Sequence, residues 1–129
     1  MKKILYVEDM IKCYEKTLEI LGNDYNLDWR KDFISGLKAM TEPETYYAGI
    51  FDVNLNYDPL KSSEQQTKEG LKLIKIVKLV KGLDFPVICI SAMDNRKEAL
   101  EQGADLFMWK KEFWEKGKKT LDEILYNGR

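Results

Sequence analysis

Short apolar runs alternate five times with stretches of helical period along this chain, and that alternation limits the folds open to it. Ile4–Val7, Tyr25–Trp29, Tyr46–Phe51, Pro86–Ile90 and Ala104–Trp109 read as strands, each too short for a helix and most nearly continuous in apolar character. Between the first two, Ile11, Tyr14, Leu18 and Leu21 recur at helical spacing, and Gly22 ends that helix. Phe33, Leu37 and Met40 mark a second helix that stops before Pro43. Leu71–Val80 is a third, Arg96–Gln102 a short fourth closed by Gly103, and Phe113–Tyr126 a fifth. Strand–helix alternation implies right-handed crossovers and a parallel sheet. Strands without polar alternation imply a sheet covered on both faces. The 129 residues suit one domain of this kind, spanning 1–129.

In a parallel sheet the carboxyl ends of the strands meet along one edge, where sites in such folds are built. Glu8 and Asp9 follow the first strand, Asp52 the third and Ser91 the fourth, and Lys110 closes the fifth. The topology therefore gathers three carboxylates, a hydroxyl and an ammonium. Carboxylates this close repel one another, and a hard divalent cation such as Mg²⁺ or Mn²⁺ relieves that repulsion. Asp52 is the candidate nucleophile, since a carboxylate can attack phosphorus to form an acyl phosphate. Ser91 and Lys110 offer a hydrogen bond and a point charge to phosphoryl oxygens. Each residue alone has an ordinary explanation. Glu8-Asp9 reads equally as a helix N-cap with an acidic first turn, Asp52 as a loop-opening aspartate, and Lys110 as a solvated lysine. The set and its order carry the signal.

Composition removes other chemistries. The chain has no His, which excludes His acid–base catalysis and His metal ligation within it. The net charge of −1 names no polyanionic partner, and direct nucleic-acid binding is not expected. Cys13 and Cys89 form no CxxC pair and read as reduced thiols, so a cytoplasmic location is expected. MKKILYVEDM turns acidic too soon for a signal segment, and no apolar run is long enough to span a membrane. Six lysines lie within 61–82, and Lys72, Lys75, Lys78 and Lys81 recur every third residue, which reads as a solvated helix face. Trp109 and Trp114 read as core or near-core residues.

The segments ILYVED, IFDVNL, PVICISA and GADLFMWK, in this order, resemble the receiver domain of bacterial two-component response regulators. The resemblance covers essentially the whole chain, with no output domain. It implies a CheY-like, flavodoxin-like doubly wound (βα)5 sandwich with a five-stranded parallel sheet in order 2-1-3-4-5. By resemblance Asp52 is the phosphoacceptor. Asp9 and Asp52 bind Mg²⁺ directly, Glu8 acts through a water, and the Asn54 backbone carbonyl is a further ligand. Ser91 matches the switch hydroxyl, Phe107 the switch aromatic and Lys110 the phosphate-pairing lysine. Asn54 and Met93 match the variable positions that tune hydrolysis. The implied partner is a sensor histidine kinase or phosphotransfer protein, a downstream protein target stays unnamed, and a homodimer is compatible with the family. The activity is the domain's own phosphorylation and dephosphorylation, not turnover of other substrates.

Three departures accompany the resemblance. The glycine that normally follows soon after the phosphoacceptor is Gly70, eighteen positions after Asp52, so NLNYDPLKSSEQQTKE reads as an insertion beside the site. Lys111 stands where the family has a cis-linked proline; a trans 110–111 bond and some displacement of Lys110 are expected. The distance from Ser91 to Gly103 is about one turn short, so the fourth helix should be stunted. These departures keep open a pseudo-receiver, an interaction module that is not phosphorylated. An aspartate-nucleophile phosphohydrolase is the third alternative; it would need a second Asp where Asn54 stands.

Overall fold

The computed structural model describes residues 1–127. Five strands form one parallel sheet: β1 (Lys2–Val7), β2 (Tyr25–Arg30), β3 (Ala48–Asp52), β4 (Val87–Ser91) and β5 (Leu106–Trp109). Their spatial order is β2-β1-β3-β4-β5, as the resemblance implies. The helices are α1 (Ile11–Leu21), α2 (Phe33–Thr41), α3 (Glu69–Lys81), α4 (Arg96–Glu101) and α5 (Lys110–Asp122), with a π-helical turn at Glu123–Asn127. The first helix leaves toward one face and the next three toward the other, so the strand order reverses between β1 and β3. That reversal opens the crevice where ligands bind in doubly wound sheets.

Alternate residues of each strand feed two cores. Leu5, Val7, Phe51, Val87, Cys89 and Phe107 pack with Ala39, Leu73, Ile74, Val77 and Ala99 from α2, α3 and α4. Ile4, Tyr6, Ile50, Ile88, Ile90 and Met108 pack with Leu21, Phe113 and Leu121 from α1 and α5. A β3 residue one step past Phe51 therefore belongs to the α1–α5 side of the sheet, which is where Asp52 is directed.

Three expectations need correction. Lys78 is buried, not solvated: its ammonium donates to Leu83 O (3.0 Å) and Phe85 O (2.6 Å) and pairs with Asp105 (2.7 Å). An α-helix turns once in about 3.6 residues, so a three-residue lysine period drifts around the helix and cannot stay on one face. Trp109 is 39% exposed, with its ring edge-on to Phe107. The fifth helix begins at Lys110 rather than Phe113, so β5 runs into α5 with no loop between them. The stunted fourth helix is found, at six residues.

The outer strand β2 is tied down by charge. Asp28 takes a two-pronged contact from Arg30 (2.9 and 3.0 Å) and a hydrogen bond from the Tyr46 hydroxyl, while Arg30 also reaches Glu42. Its carboxyl is held below the usual range: burial opposes this, and the hydrogen bonds from Arg30 and Tyr46 outweigh it. A depressed carboxyl stabilises the fold above its unfolded value and ceases to do so as pH falls through its folded value. Asp28→Asn should therefore lower the melting temperature at neutral pH, and the gap to the parent should close below about pH 4. Thermal melts across pH 3–7 test this; a gap that persists undiminished in acid would assign the loss to packing alone.

Candidate functional site

The loop after β1 carries the acidic pair. α1 begins at the N-cap Met10, which makes no side-chain cap, so Glu8 and Asp9 are not consumed as an N-cap. Glu8 is fully buried. Its backbone carbonyl accepts from the Trp29 ring N–H (2.7 Å), and Trp29 stacks on Tyr14 at 4.0 Å. The backbone at the mouth of β1 is thus clamped from β2 and α1, and Glu8 is turned into the crevice.

Asp52 closes β3 and is 3% exposed. Carboxylate oxygens of Glu8, Asp9 and Asp52 all lie within 4.8 Å of one another. Lys110, the first residue of α5, brings its Nζ to 3.3 Å from Asp52 Oδ2, 3.0 Å from Glu8 Oε1 and 3.4 Å from Cys13 Sγ. The Glu8 contact is an ion pair without hydrogen-bond alignment, since Oε1 has no hydrogen-bond partner. There is no cis peptide bond among the described residues, and Lys110 still reaches Asp52. The displacement expected from Lys111 does not take the ammonium out of the site.

One ammonium faces three carboxylates, two of them buried. Burial, and then the charge of Asp52, push the Glu8 carboxyl up to about 8, against the pull of Lys110. Burial likewise raises Asp52, again opposed by Lys110. Burial works against the charge of Lys110, but Asp52 and Glu8 hold its pKa above the usual lysine range. The pocket is short of positive charge. All three donors are hard oxygens, the chemistry of Mg²⁺ or Mn²⁺ and not of a thiophilic metal. The donor set therefore fits a divalent cation.

Ser91, at the end of β4, is fully buried and saturated with partners. Its hydroxyl donates to Asn95 Oδ1 (2.8 Å) and accepts from Asn54 Nδ2 (3.2 Å) and the Met93 N–H (3.0 Å). Asn54 also donates its backbone N–H to Asp52 Oδ1 (3.3 Å). Its side-chain Oδ1 is buried without a partner. Phe107 points away from this cluster into the core under α3 and α4, with the Arg96 guanidinium over its ring at 5.2 Å. Glu8, Asp9, Asp52 and Lys110 are thus assembled in one pocket, Asn54 and Ser91 flank it, and Phe107 lies in the adjoining core.

Two residues escaped the sequence reading. Asn95 holds the Ser91 hydroxyl and passes on to Glu98 (3.1 Å), which pairs with Lys68 (2.8 Å). An Asn four residues after a strand end carries no periodic signal. Gln66 is the second. The segment 53–68 is not irregular but wrapped around this buried side chain, which exchanges two hydrogen bonds with the Asp58 backbone (2.7 and 3.0 Å) and donates to Lys61 O (3.0 Å). The segment is pinned to the site where the Asn56 N–H donates to Asp9 Oδ2 (3.0 Å).

No family model and no curated protein matches the chain. Solved structures do. It is similar to the receiver domain of the Francisella response regulator 1452, with TM-score 0.78 and 20% identity over 100% of both chains. It is similar to a two-component response regulator from Clostridium difficile, with TM-score 0.79 and 16% identity over 100% of this chain and 99% of the other. It is also similar to response regulator protein TrrA from Thermotoga maritima, solved in complex with Mg²⁺–BeF, with TM-score 0.75 and 24% identity over 97% and 100%. These identities speak to architecture, and on that ground the chain has the CheY-like, flavodoxin-like fold of response-regulator receiver domains.

Proposed function

We propose that the chain is a phosphoacceptor receiver domain, taking a phosphoryl group onto Asp52 from the phosphohistidine of a sensor histidine kinase or phosphotransfer protein in the cytoplasm. The observation that carries this is the meeting of Glu8, Asp9 and Asp52 within 4.8 Å, with the Lys110 ammonium 3.3 Å from Asp52. The complex of the similarly folded Thermotoga maritima protein with Mg²⁺–BeF supports it. Asp9 and Asp52, with the Asn54 carbonyl and Glu8 through a water, would hold Mg²⁺ or Mn²⁺. A bound cation there offsets the charge of the incoming phosphoryl oxygens.

The chain's own groups have separate tasks. Asp52 supplies the oxygen that bonds to phosphorus. Lys110, already between Asp52 and Glu8, meets a phosphoryl oxygen with a compact charge. Ser91 reaches the phosphoryl group by giving up Asn95, which loosens the Asn95–Glu98–Lys68 chain between α4 and α3. That loosening is the output: a change in the α3–α4 surface read by a downstream protein.

Incubation with acetyl phosphate and Mg²⁺, read by intact mass, tests the reading. One phosphoryl addition is expected with the cation and none after chelation. Mg²⁺ alone should also raise the melting temperature, since a ligand at about a hundredfold excess over its Kd stabilises by about 2.7 kcal/mol. In Asp9→Asn that rise should be lost or nearly so. A wild-type chain that takes no phosphate from acetyl phosphate or from a phosphoimidazole donor, while binding Mg²⁺, would instead assign a pseudo-receiver.

A further inference from the structure

A cleft of about 400 Å³ opens directly over Asp52, lined by Met10, Asp52, Asn54, Tyr57, Ala92, Met93 and Lys110. Its lining is of two kinds. Asp52, Asn54 and Lys110 form a polar floor, and Met10, Tyr57, Ala92 and Met93 form an apolar wall. Small-molecule sites commonly have this make-up, a mostly apolar lining with a few placed polar groups. The cation and the phosphoryl group engage the floor alone, so the wall needs a separate explanation.

Tyr57 comes from the segment that separates Asp52 from Gly70. That segment is built to hold a position. Asn56 sits in the left-handed region (φ 60°), its N–H bonds Asp9, and its side chain reaches Glu69 (3.3 Å). One residue on, Asp58 is gripped through its backbone by the buried Gln66. Tyr57 is thus fixed between two anchored residues and is 46% exposed, with a face left for a partner. Met10, in the same lining, is 52% exposed. Thioethers and an aromatic ring make a contact surface suited to a planar ring.

We propose that Tyr57, with Met10 and Met93, forms a subsite for an aromatic leaving group, giving Asp52 a preference for N-phosphoimidazole-type donors over small acyl phosphates. The inference rests on Asp52 being the phosphoacceptor. In the transfer, an Asp52 oxygen forms the new P–O bond as the P–N bond breaks. The bonding pair goes to the ring nitrogen, and the ring, protonated in the donor, leaves as neutral imidazole. A neutral flat leaving group gains from an apolar wall. Acetate leaves as a small anion and gains nothing from it. Only contacts that differ between donors produce such selectivity.

The experiment follows phosphorylation by intact mass with saturating Mg²⁺, using N-phosphoimidazole and acetyl phosphate at several concentrations. Wild type, Tyr57→Ala and Tyr57→Phe are compared. Tyr57→Ala should slow phosphoimidazole about tenfold, equivalent to about 1.4 kcal/mol, with the loss in the transfer rate at saturating donor as well as at low donor. Acetyl phosphate should change by less than about twofold. Tyr57→Phe should behave as wild type. Equal slowing with both donors would overturn the proposal, because it would make Tyr57 only a brace for the loop; so would an unchanged ratio. Wild type labelled by neither donor would remove the phosphoacceptor reading and this one with it, an outcome distinct from either.

Discussion

Asp52→Asn is expected to lose phosphoryl addition completely while gaining stability in the absence of cation. The amide has nearly the shape of the carboxylate but no charge and almost no nucleophilicity toward phosphorus. Asp52 is 3% exposed, and burial already disfavours its charged form. Removing that charge also relieves Glu8, whose carboxyl is raised in part by Asp52. Lys110 keeps Glu8 as a partner, so the substitution leaves no unpaired ammonium. Intact mass after acetyl phosphate reads the first effect, and a melt in chelator reads the second. The pair of outcomes is diagnostic. Lost labelling with a lowered melting temperature would indicate simple damage, and retained labelling would move the phosphoacceptor to another residue.

Gly70→Ala is expected to be among the most destabilising single substitutions in the chain. Gly70 lies in the first turn of α3, and its N–H donates to Val53 O (2.9 Å). A Cβ there would stand 1.9 Å from the backbone oxygen of Asp52. Two effects compete. Alanine favours an isolated helix by about 1 kcal/mol over glycine. The clash is with backbone rather than a side chain that can rotate away, and overpacking of that kind costs about 3 kcal/mol or more. The clash wins, and about 2 kcal/mol net corresponds to roughly 6–10 °C in melting temperature for a domain of this size. Because the obstructed atom belongs to Asp52, the substitution should also weaken the Mg²⁺-dependent rise in melting temperature. Calorimetry with and without Mg²⁺ measures both. A melting temperature within about 2 °C of the parent would show that α3 is free to shift away from β3.

This contact explains why a glycine is needed here at all, and it sits eighteen residues beyond Asp52. Its sequence distance from Asp52 is set by the segment 53–68, but its spatial distance is not. The segment folds on itself around Gln66 and returns the chain to the end of β3. A segment of this kind, closed by its own hydrogen bonds, leaves the crossover undisturbed.

The strands, the helix order and the convergence of Glu8, Asp9, Asp52 and Lys110 were legible because apolar runs and parallel topology are local and repetitive signals. Lys78 was misread because it falls in a repeat of lysines three residues apart, while its partners, Leu83 O, Phe85 O and Asp105, come from the next loop and the residue before β5. Asn95 and Gln66 were not seen because a buried amide looks like a surface amide until its partners are known.

The residues alone determined a doubly covered parallel sheet and which side chains reach its carboxyl edge, since short unbroken apolar runs mark strands buried on both faces and a period of three to four marks helices buried on one. Only the tertiary structure decided how those side chains are held. It set Glu8 on Lys110, kept Ser91 on Asn95, brought Gly70 against Asp52 and put Tyr57 beside the site. Hydrogen bonds and steric contacts between distant segments depend on separations of an ångström or less, and such separations exist only once the sheet has closed.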